Sequence, residues 1–285
     1  MQDVLDETKF LMKKYHITAN KNLGQNFLID GEVITQIIES ADITKEDFII
    51  EIGPGLGTLT SRILECAGKV IAIELDDRMI KILKDRFSIY HNFEIINADI
   101  LKVDLNKLIE KNSKEYRHVK IVANLPYYIT TPIIMKLLEE KLRIESITVM
   151  VQKEVADRIT AEPGEKNSGA ITYSVYYYAT PEKVTFVSKN SFIPSPEVDS
   201  EVIKLNIRSA PMVEVKDEEL FFKVVKASFM QRRKTLLNGL TNGGIVTNKQ
   251  EARELLNQLN LPENIRGENL SIQQFAEIAN IIAKD

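Results

Sequence analysis

Short apolar segments alternate with segments of helical periodicity over the first two thirds of the chain. The apolar segments are rich in isoleucine and valine, as buried strands are, and they occupy residues 47–53, 69–75, 93–99, 119–125 and 147–152. Between them, stretches such as TLTSRILECAG and DRMIKILKDRF carry apolar residues at helical spacing. Strands that alternate with helices predict βαβ units and a parallel, doubly wound sheet.

The pattern changes in the last third of the chain. AITYSVYYYA and EVIKLNIR predict two further strands, separated by the proline-containing loop FIPSPEVDS. Three segments of helical periodicity follow Arg208, at residues 218–238, 249–259 and 271–283. We therefore predict an α/β domain over residues 1–208 and a smaller helical domain over residues 209–285.

Composition restricts the class of protein. A chain of 285 residues with 44% hydrophobic and 27% charged residues is typical of a globular protein. The single cysteine, Cys66, excludes an internal disulfide framework or a cysteine-built zinc site, and the three histidines share no metal-ligand spacing. No apolar run reaches the roughly eighteen residues that span a bilayer, and acids stand where a signal peptide has lysines. We therefore expect a cytoplasmic protein with no metal site and no membrane association.

Charge is distributed unevenly along the chain. The net charge of −4 argues against a nucleic-acid partner, because phosphate contacts require lysine and arginine. Residues 220–250, however, contain no acid, and the cations there are Lys223, Lys226, Arg232, Arg233, Lys234 and Lys249. Residues 8–29 are also basic and free of acids. Such stretches indicate either a polyanion site or solvated helix faces.

A glycine-rich turn joins the first predicted strand to its helix. IIEIGPGLGTLT contains Gly53, Gly55 and Gly57, one residue short of the dinucleotide-binding spacing G-x-G-x-x-G. Such a turn lets a ligand approach the backbone and the helix N-terminus closely. Glu74 ends the next strand, where a carboxylate can accept both hydroxyls of a ribose, and Asp99 ends the third. Together these residues predict a nucleoside pocket at the carboxyl edge of the sheet.

The acid before the turn bears on which nucleoside binds. S-adenosylmethionine carries a sulfonium and an ammonium, so Glu51 would attract it and would repel the pyrophosphate of a dinucleotide. Glu51 could instead make a structural hydrogen bond or lie in a solvated position.

The fourth predicted strand ends in NLPYY, because a proline cannot donate to a sheet ladder. The sequence TTP then predicts a helix with a hydroxyl cap and proline at its first position. The exocyclic amine of adenine is a poor nucleophile, and Asn124 Oδ1 with a carbonyl of the Leu125–Pro126 turn could accept its hydrogens. Tyr127 could stack on a flipped base. Catalysis would then consist mainly of alignment.

Five segments carry a resemblance to a known family. NLGQNFLID, EIGPGLGTLT, NLPY, FIPSPEVDS and FMQRRKTLLN, in this order, resemble the motifs of the small-subunit ribosomal RNA adenine dimethyltransferase family. The resemblance implies a Rossmann-like S-adenosylmethionine-dependent methyltransferase sheet with a smaller C-terminal helical domain. It also implies dimethylation of two adjacent adenines in a hairpin near the 3′ end of 16S rRNA, in a late 30S assembly intermediate. We expect the enzyme to act as a monomer.

The resemblance assigns the cofactor site to residues 1–208, whose N-terminal segment would contact RNA and cofactor. It implies that Asn26 and Leu28 close over S-adenosylmethionine and that Gly53 lies under its methionine part. It further implies that Glu74 holds the ribose and that Asp99 meets the adenine amine.

The resemblance also implies how the target base is held. Asn124 would lie between cofactor and base, with Leu125 and Pro126 forming the catalytic turn. Tyr127 and Phe192 would sandwich the base. The chain departs from the family at Tyr128, the second tyrosine of NLPYY, where many relatives have asparagine. It also departs before the tyrosines of YSVYYYA, where glutamine is common.

Several interpretations remain open. Arg232, Arg233 and Lys234 would bind RNA if the resemblance holds, and would otherwise be a solvated helix end. The tyrosines of VYYY could stack bases, although core packing is the simpler interpretation. A sibling family dimethylates one adenine of 23S rRNA and shares the NLPY-like and glycine motifs. The sequence could also belong to a nicotinamide oxidoreductase or to a non-catalytic RNA-binding assembly factor.

Overall fold

The computed structural model describes residues 4–20, 23–112, 115–231 and 233–283 of the chain. The contacts divide the chain into two compact units. The first contains residues 4–156 and 182–207, and the second contains residues 157–181 and 208–283. The boundary predicted from the sequence lies at residue 208, whereas residues 157–181 pack with the C-terminal helices.

The first unit contains the sheet. The strands are β1 Phe27–Leu28, β2 Asp47–Ile52, β3 Lys69–Glu74, β4 Phe93–Asn97, β5 His118–Asn124, β6 Ser146–Gln152, β7 Ala179–Val187, β8 Phe192–Ile193 and β9 Ser200–Ile207. The helices that accompany them are α1 Val4–Lys14, α2 Gly31–Ala41, α3 Thr58–Cys66, α4 Asp77–Arg86, α5 Leu105–Asn112, α6 Thr130–Glu139 and α7 Lys153–Thr160. β7 and α7 each cross a boundary between the two units.

Seven strands form one sheet in the order β4-β3-β2-β5-β6-β9-β7, and β1 pairs with β8 in a separate small sheet. β2 through β6 are parallel, as predicted, and β9 is antiparallel to β6. The chain runs outward from β2 to β4 and then returns to β5 on the other side of β2. The carboxyl ends of β2 and β5 therefore flank the switch point at which ligands bind in open α/β sheets.

The central strands are buried on both faces, which explains their continuous apolar runs. Phe48, Ile49 and Ile50 of β2 are fully buried. Glu51, a residue that is only 1% exposed, interrupts this run with a carboxyl group.

The second unit is helical, with α8 Ala170–Tyr178, α9 Glu218–Phe229, α10 Leu236–Asn242, α11 Lys249–Gln258 and α12 Ile272–Ile282. The predicted strand AITYSVYYYA is therefore wrong, because this segment forms α8. Its residues are apolar on nearly all sides, and an element buried all round shows no helical periodicity. Tyr177 of VYYY is buried, with its ring centroid 5.1 Å from that of Phe221, and Tyr176 and Tyr178 pack against the same core. The packing interpretation of the tyrosines is thus confirmed.

The helix predicted over residues 218–238 is two helices. α9 ends at Phe229, and α10 begins after Thr235, whose Oγ1 accepts a hydrogen bond from Asn238 N at 3.4 Å. The Leu236 N–H donates to Ile265 O at 2.7 Å. A long-range backbone bond and a local cap thus replace the helical bonds, and neither leaves a signal in the hydrophobic periodicity.

None of the helices that the structure describes is both long and apolar enough to cross a membrane.

Candidate active site

A cleft lies at the carboxyl ends of β2, β3 and β5 in the first unit, and its empty volume, which includes open solvent at its mouth, is about 1070 Å³. It brings together nine residues predicted to form the site, namely Asn26, Leu28, Gly53, Glu74, Asp99, Asn124, Leu125, Pro126 and Tyr127. Glu51 also lines the cleft. Residues from distant parts of the sequence thus share one surface.

The glycine turn forms one wall of the cleft. Gly53, Gly55 and Gly57 have φ angles of 65°, 58° and 81°, in the left-handed region that favours glycine. A Cβ atom at Gly57 would lie 2.7 Å from Leu83 Cδ2, so this glycine lets α3 pack closely on α4. A Cβ at Gly53 would meet nothing within 4 Å, because this residue faces open space. Gly53 therefore offers bare backbone to a ligand.

Glu74 is fixed by backbone donors at the edge of the cleft. Its Oε2 accepts from Gly55 N at 3.2 Å, and its Oε1 accepts from Leu75 N and Asp76 N, both at 2.8 Å. Burial raises the pKa of Glu74, although these three N–H groups favour the ionised form. Asp99 lies nearby on the next loop, where its Oδ1 caps a short 3-10 turn by accepting from Leu101 N at 3.0 Å.

Glu51 is a buried acid whose Oε2 has no hydrogen-bond partner among the described residues. Burial, together with the negative charge of Glu74, raises the pKa of Glu51 to about 8. The solvated interpretation of Glu51 is excluded by its burial. A carboxyl group in this state is stabilised in its ionised form by a cation placed in the cleft.

Asn124 stands at the end of β5 with its amide oriented by the chain. Its Nδ2 donates to the backbone carbonyl of Asn26 at 3.2 Å, which lies in the segment just before β1. A carbonyl only accepts, so the amide nitrogen has to face Asn26 and Oδ1 is the oxygen left to accept from a ligand. The turn is tied to the sheet by Leu125 N, which donates to Met150 O at 3.1 Å.

Tyr127 begins a short 3-10 turn, Tyr127–Ile129, that runs directly into α6. Its ring is half-buried, and its hydroxyl lies 2.6 Å from Ser200 Oγ. Burial raises the pKa of Tyr127, so its hydroxyl is protonated near neutral pH.

The predicted hydroxyl cap is wrong, because α6 has no side-chain cap and Thr130 Oγ1 instead donates to Pro126 O at 3.0 Å. The preceding turn takes the place of the cap.

Phe192 lies away from the surface of the cleft. It is 3% exposed, pairs with Leu28 in the small β1–β8 sheet, and belongs to the hydrophobic core of the first unit. The structure does not bring its ring to the cleft beside Tyr127, so the predicted stacking of Phe192 on the target base would require the ring to leave this core.

Two side chains that support the site were not predicted from the sequence. Ser200 contacts Tyr127, and Gln25, which lines the cleft, donates through Nε2 to Asp76 Oδ2 at 2.9 Å. Both residues belong to motifs that carried the resemblance, but motif membership did not indicate their partners.

The predicted RNA-binding cations belong to the second unit. Arg233 and Lys234 are exposed in the connection between α9 and α10, where Lys234 N donates to Gln231 O at 2.8 Å. Arg232 lies outside the described residues. Among all the residues that the structure describes, no group of three or more His, Cys, Asp or Glu side chains is arranged to hold a metal ion.

The chain is similar to known ribosomal RNA methyltransferases. The chain is 52% identical over 275 residues to a protein of Clostridioides difficile named ribosomal RNA small subunit methyltransferase A, covering 96% of this chain and 94% of that one. A dimethyladenosine transferase structure from Plasmodium falciparum matches with a TM-score of 0.74 and 27% identity, covering 88% of this chain and 95% of that one. The structure of the 23S rRNA methyltransferase ErmE matches with a TM-score of 0.67 and 26% identity, covering 89% and 98%.

The fold is thus that of a Rossmann-like S-adenosylmethionine-dependent methyltransferase with a helical C-terminal part. The family model for ribosomal RNA adenine dimethylases matches residues 16–284. Because that match covers nearly the whole chain, the protein belongs to the ribosomal RNA adenine dimethylase family.

Proposed function

We propose that this S-adenosylmethionine-dependent rRNA adenine dimethylase acts on two adjacent adenines in a hairpin near the 3′ end of 16S rRNA. Its substrate is a late assembly intermediate of the 30S subunit, and it works as a cytoplasmic monomer. The observation that carries the proposal is the Asn124 amide, which is anchored through Nδ2 and free to accept through Oδ1 at the cleft.

The cleft fits the methyl donor. Glu51 provides a buried carboxyl oxygen without a partner in the described chain, which suits the ammonium and sulfonium of S-adenosylmethionine. Gly53 leaves open space for the methionine part, and Glu74 and Asp99 provide acceptors for the ribose hydroxyls and the adenine amine. Asn26 and Leu28, from the segment around β1, line the same cleft. When bound, S-adenosylmethionine supplies an electrophilic methyl group.

The catalytic turn prepares the acceptor amine. Asn124 Oδ1 and a carbonyl of the Leu125–Pro126 turn accept the two hydrogens of the adenine amine, which draws its lone pair out of conjugation with the ring. The Tyr127 ring stacks on the flipped base, a contact worth roughly 1–3 kcal/mol. These groups hold the nitrogen in line for attack, and such alignment supplies a large part of the rate.

The choice between the two ribosomal RNAs is supported by the degree of similarity. The relative named for the small subunit is 52% identical to the chain, whereas the 23S rRNA methyltransferase ErmE is 26% identical. The NLGQNFLID and FMQRRKTLLN motifs favour the small-subunit family as well. A non-catalytic assembly factor would have no use for a cleft with an oriented amide and a carboxyl group suited to a cation.

The proposal is tested by offering the enzyme both particles. Undermethylated 30S and 50S particles are incubated separately with labelled S-adenosylmethionine, and the modified nucleoside is identified after digestion. We expect label in N6,N6-dimethyladenosine of 16S rRNA. Label in 23S rRNA alone would establish the sibling activity instead.

A further inference from the structure

The hydrogen bond between Tyr127 and Ser200 joins the catalytic turn to a different part of the sheet. The two oxygens lie 2.6 Å apart, and the residues are 73 positions apart in sequence. Ser200 is fully buried, whereas the Tyr127 ring is half-buried and lines the cleft. The contact thus connects a buried hydroxyl to a ring that lines the cleft.

The backbones of the two residues are held to very different degrees. Ser200 begins β9 and is paired with Gln152 of β6, so its position is fixed by the sheet. Tyr127 lies outside any strand, in the 3-10 turn that precedes α6. A hydrogen bond at the hydroxyl restrains χ1, which sets where the far end of the ring lies, whereas the hydroxyl oxygen lies on the χ2 axis. The Ser200 hydroxyl holds that far end.

We infer that Ser200 is a positioning residue for methyl transfer, because its hydroxyl fixes the far end of the Tyr127 ring on which the target adenine stacks. The inference deepens the proposed function and rests on it. A base stacked on a displaced ring presents its amine out of line with the donor, so loss of the bond slows the chemical step more than it weakens binding. A ring that acted only through its faces would make Tyr127→Phe silent.

Burial of a hydroxyl does not by itself create such a role. Ser146 and Thr148 of β6 are as buried as Ser200, and their hydroxyls have no partner among the described residues. Ser200 differs because its partner is the ring at the cleft. Ser146 is therefore a matched control, since it lies opposite Asn206, at the other end of the β6–β9 pairing from Ser200.

A double-mutant cycle tests the inference. Single-turnover methylation of undermethylated 30S particles is measured for the parent, Ser200→Ala, Tyr127→Phe and the double variant, alongside donor affinity by calorimetry. Each single variant removes the same bond, so each should lower the rate by roughly threefold to tenfold, and the double variant should be no slower than either. Donor affinity should stay unchanged, and Ser146→Ala should methylate at the parental rate.

Three outcomes would overturn the inference. They are a parental rate for Ser200→Ala, additive losses in the double variant, and an equal rate loss in Ser146→Ala. Tyr127→Phe keeps the test valid if Ser200→Ala does not fold, because it breaks the bond from the half-buried side. A parent that methylates no 30S particle would instead refute the proposed function, so the two failures are distinguishable.

Discussion

Asn124 offers a side-chain oxygen acceptor that its neighbours Leu125 and Pro126 in the turn do not have. Its Oδ1 is positioned by the bond from Nδ2 to Asn26 O, and Asn124→Ala removes both that anchor and the acceptor. Because the acceptor matters most as the amine changes geometry, the single-turnover rate should fall by about 10²–10³ while particle affinity changes little. Asn106→Ala is the matched control, since this exposed asparagine also donates to a backbone carbonyl, Glu140 O at 3.1 Å. A parental rate for Asn124→Ala would mean that the turn has no catalytic function.

Glu51 makes stability depend on pH. Its folded pKa of about 8 lies above the value of 4.5 for a solvated glutamate, so between these values the folded state binds more protons than the unfolded state. Stability of the donor-free protein therefore falls as pH rises through this window, and the penalty is complete above pH 8. Glu51→Gln removes it and should raise the free energy of unfolding by roughly 3–5 kcal/mol at pH 9, with little change near pH 4.

Urea denaturation at the two pH values measures this effect. Glu39→Gln is the control, because this carboxylate is exposed on α2 and should change stability little at either pH. Glu51→Gln should also bind S-adenosylmethionine more weakly, since it cannot ionise beside the ligand's cation. The same pH dependence in the parent and in Glu51→Gln would refute this account of the carboxyl group.

Several residues that line the cleft could be proposed from sequence, because chemistry restricts them to few residue types. A left-handed turn at the end of a strand favours glycine, and a ribose favours a carboxylate. Their supports could not be identified, because the bonds that hold them cross long stretches of chain. Asn124 and Asn26 are 98 residues apart, and the carbonyl involved belongs to the backbone, which any residue provides. Phe192 shows the converse, since a motif indicates a residue but not how deeply its ring is buried.

At the scale of elements, the segment before β1 links the two halves of the site. Its Asn26 carbonyl accepts from the Asn124 amide, and its Gly24 lies against the ring of Tyr128, which is 56% exposed. Gly24 has a φ of 61°, and a Cβ there would lie 3.2 Å from Tyr128 Cδ1. Residues 23–26 therefore line the cleft and also contact the Asn124–Tyr128 turn.

Gly24→Ala should displace this segment. We expect donor affinity to fall by roughly threefold to tenfold, and stability by about 1–2 kcal/mol from the left-handed backbone. Gly244→Ala is a control for the backbone strain alone, because Gly244 has a φ of 69° and a Cβ there meets nothing within 4 Å. It should lose similar stability with unchanged donor affinity by calorimetry. Equal donor affinity in both variants would show that the segment does not control the cleft.

The strands of the parallel sheet were predicted well, and the later elements less well. The strands β2 to β6 follow from their isoleucine and valine runs. α8 was mistaken for a strand because its β-branched and aromatic residues pack on nearly all sides, so tertiary contacts override local propensity. The break between α9 and α10 depends on a bond from Leu236 to Ile265, which no local pattern encodes.

At the scale of the molecule, net charge is a weaker guide to partners than its distribution. The chain carries a net charge of −4, yet Arg233 and Lys234 are exposed on the second unit within a stretch free of acids. A phosphate backbone responds to the local field at the point of contact, because counterions screen charges beyond about 10 Å. An acidic protein can therefore bind RNA through one basic loop.

Removing that loop's charge should alter the salt dependence of RNA binding. Arg233→Ala with Lys234→Ala removes up to two phosphate contacts, so the slope of log affinity against log salt for 30S particles should become shallower by about 1–2. The control is Lys223→Ala with Arg253→Ala, which removes equal charge from exposed cations already paired with Glu219 and Glu263 at 2.7 and 3.1 Å. Its slope should match that of the parent, and both variants should bind S-adenosylmethionine normally. If the two pairs of substitutions flattened the slope equally, net charge and not the loop would determine RNA binding.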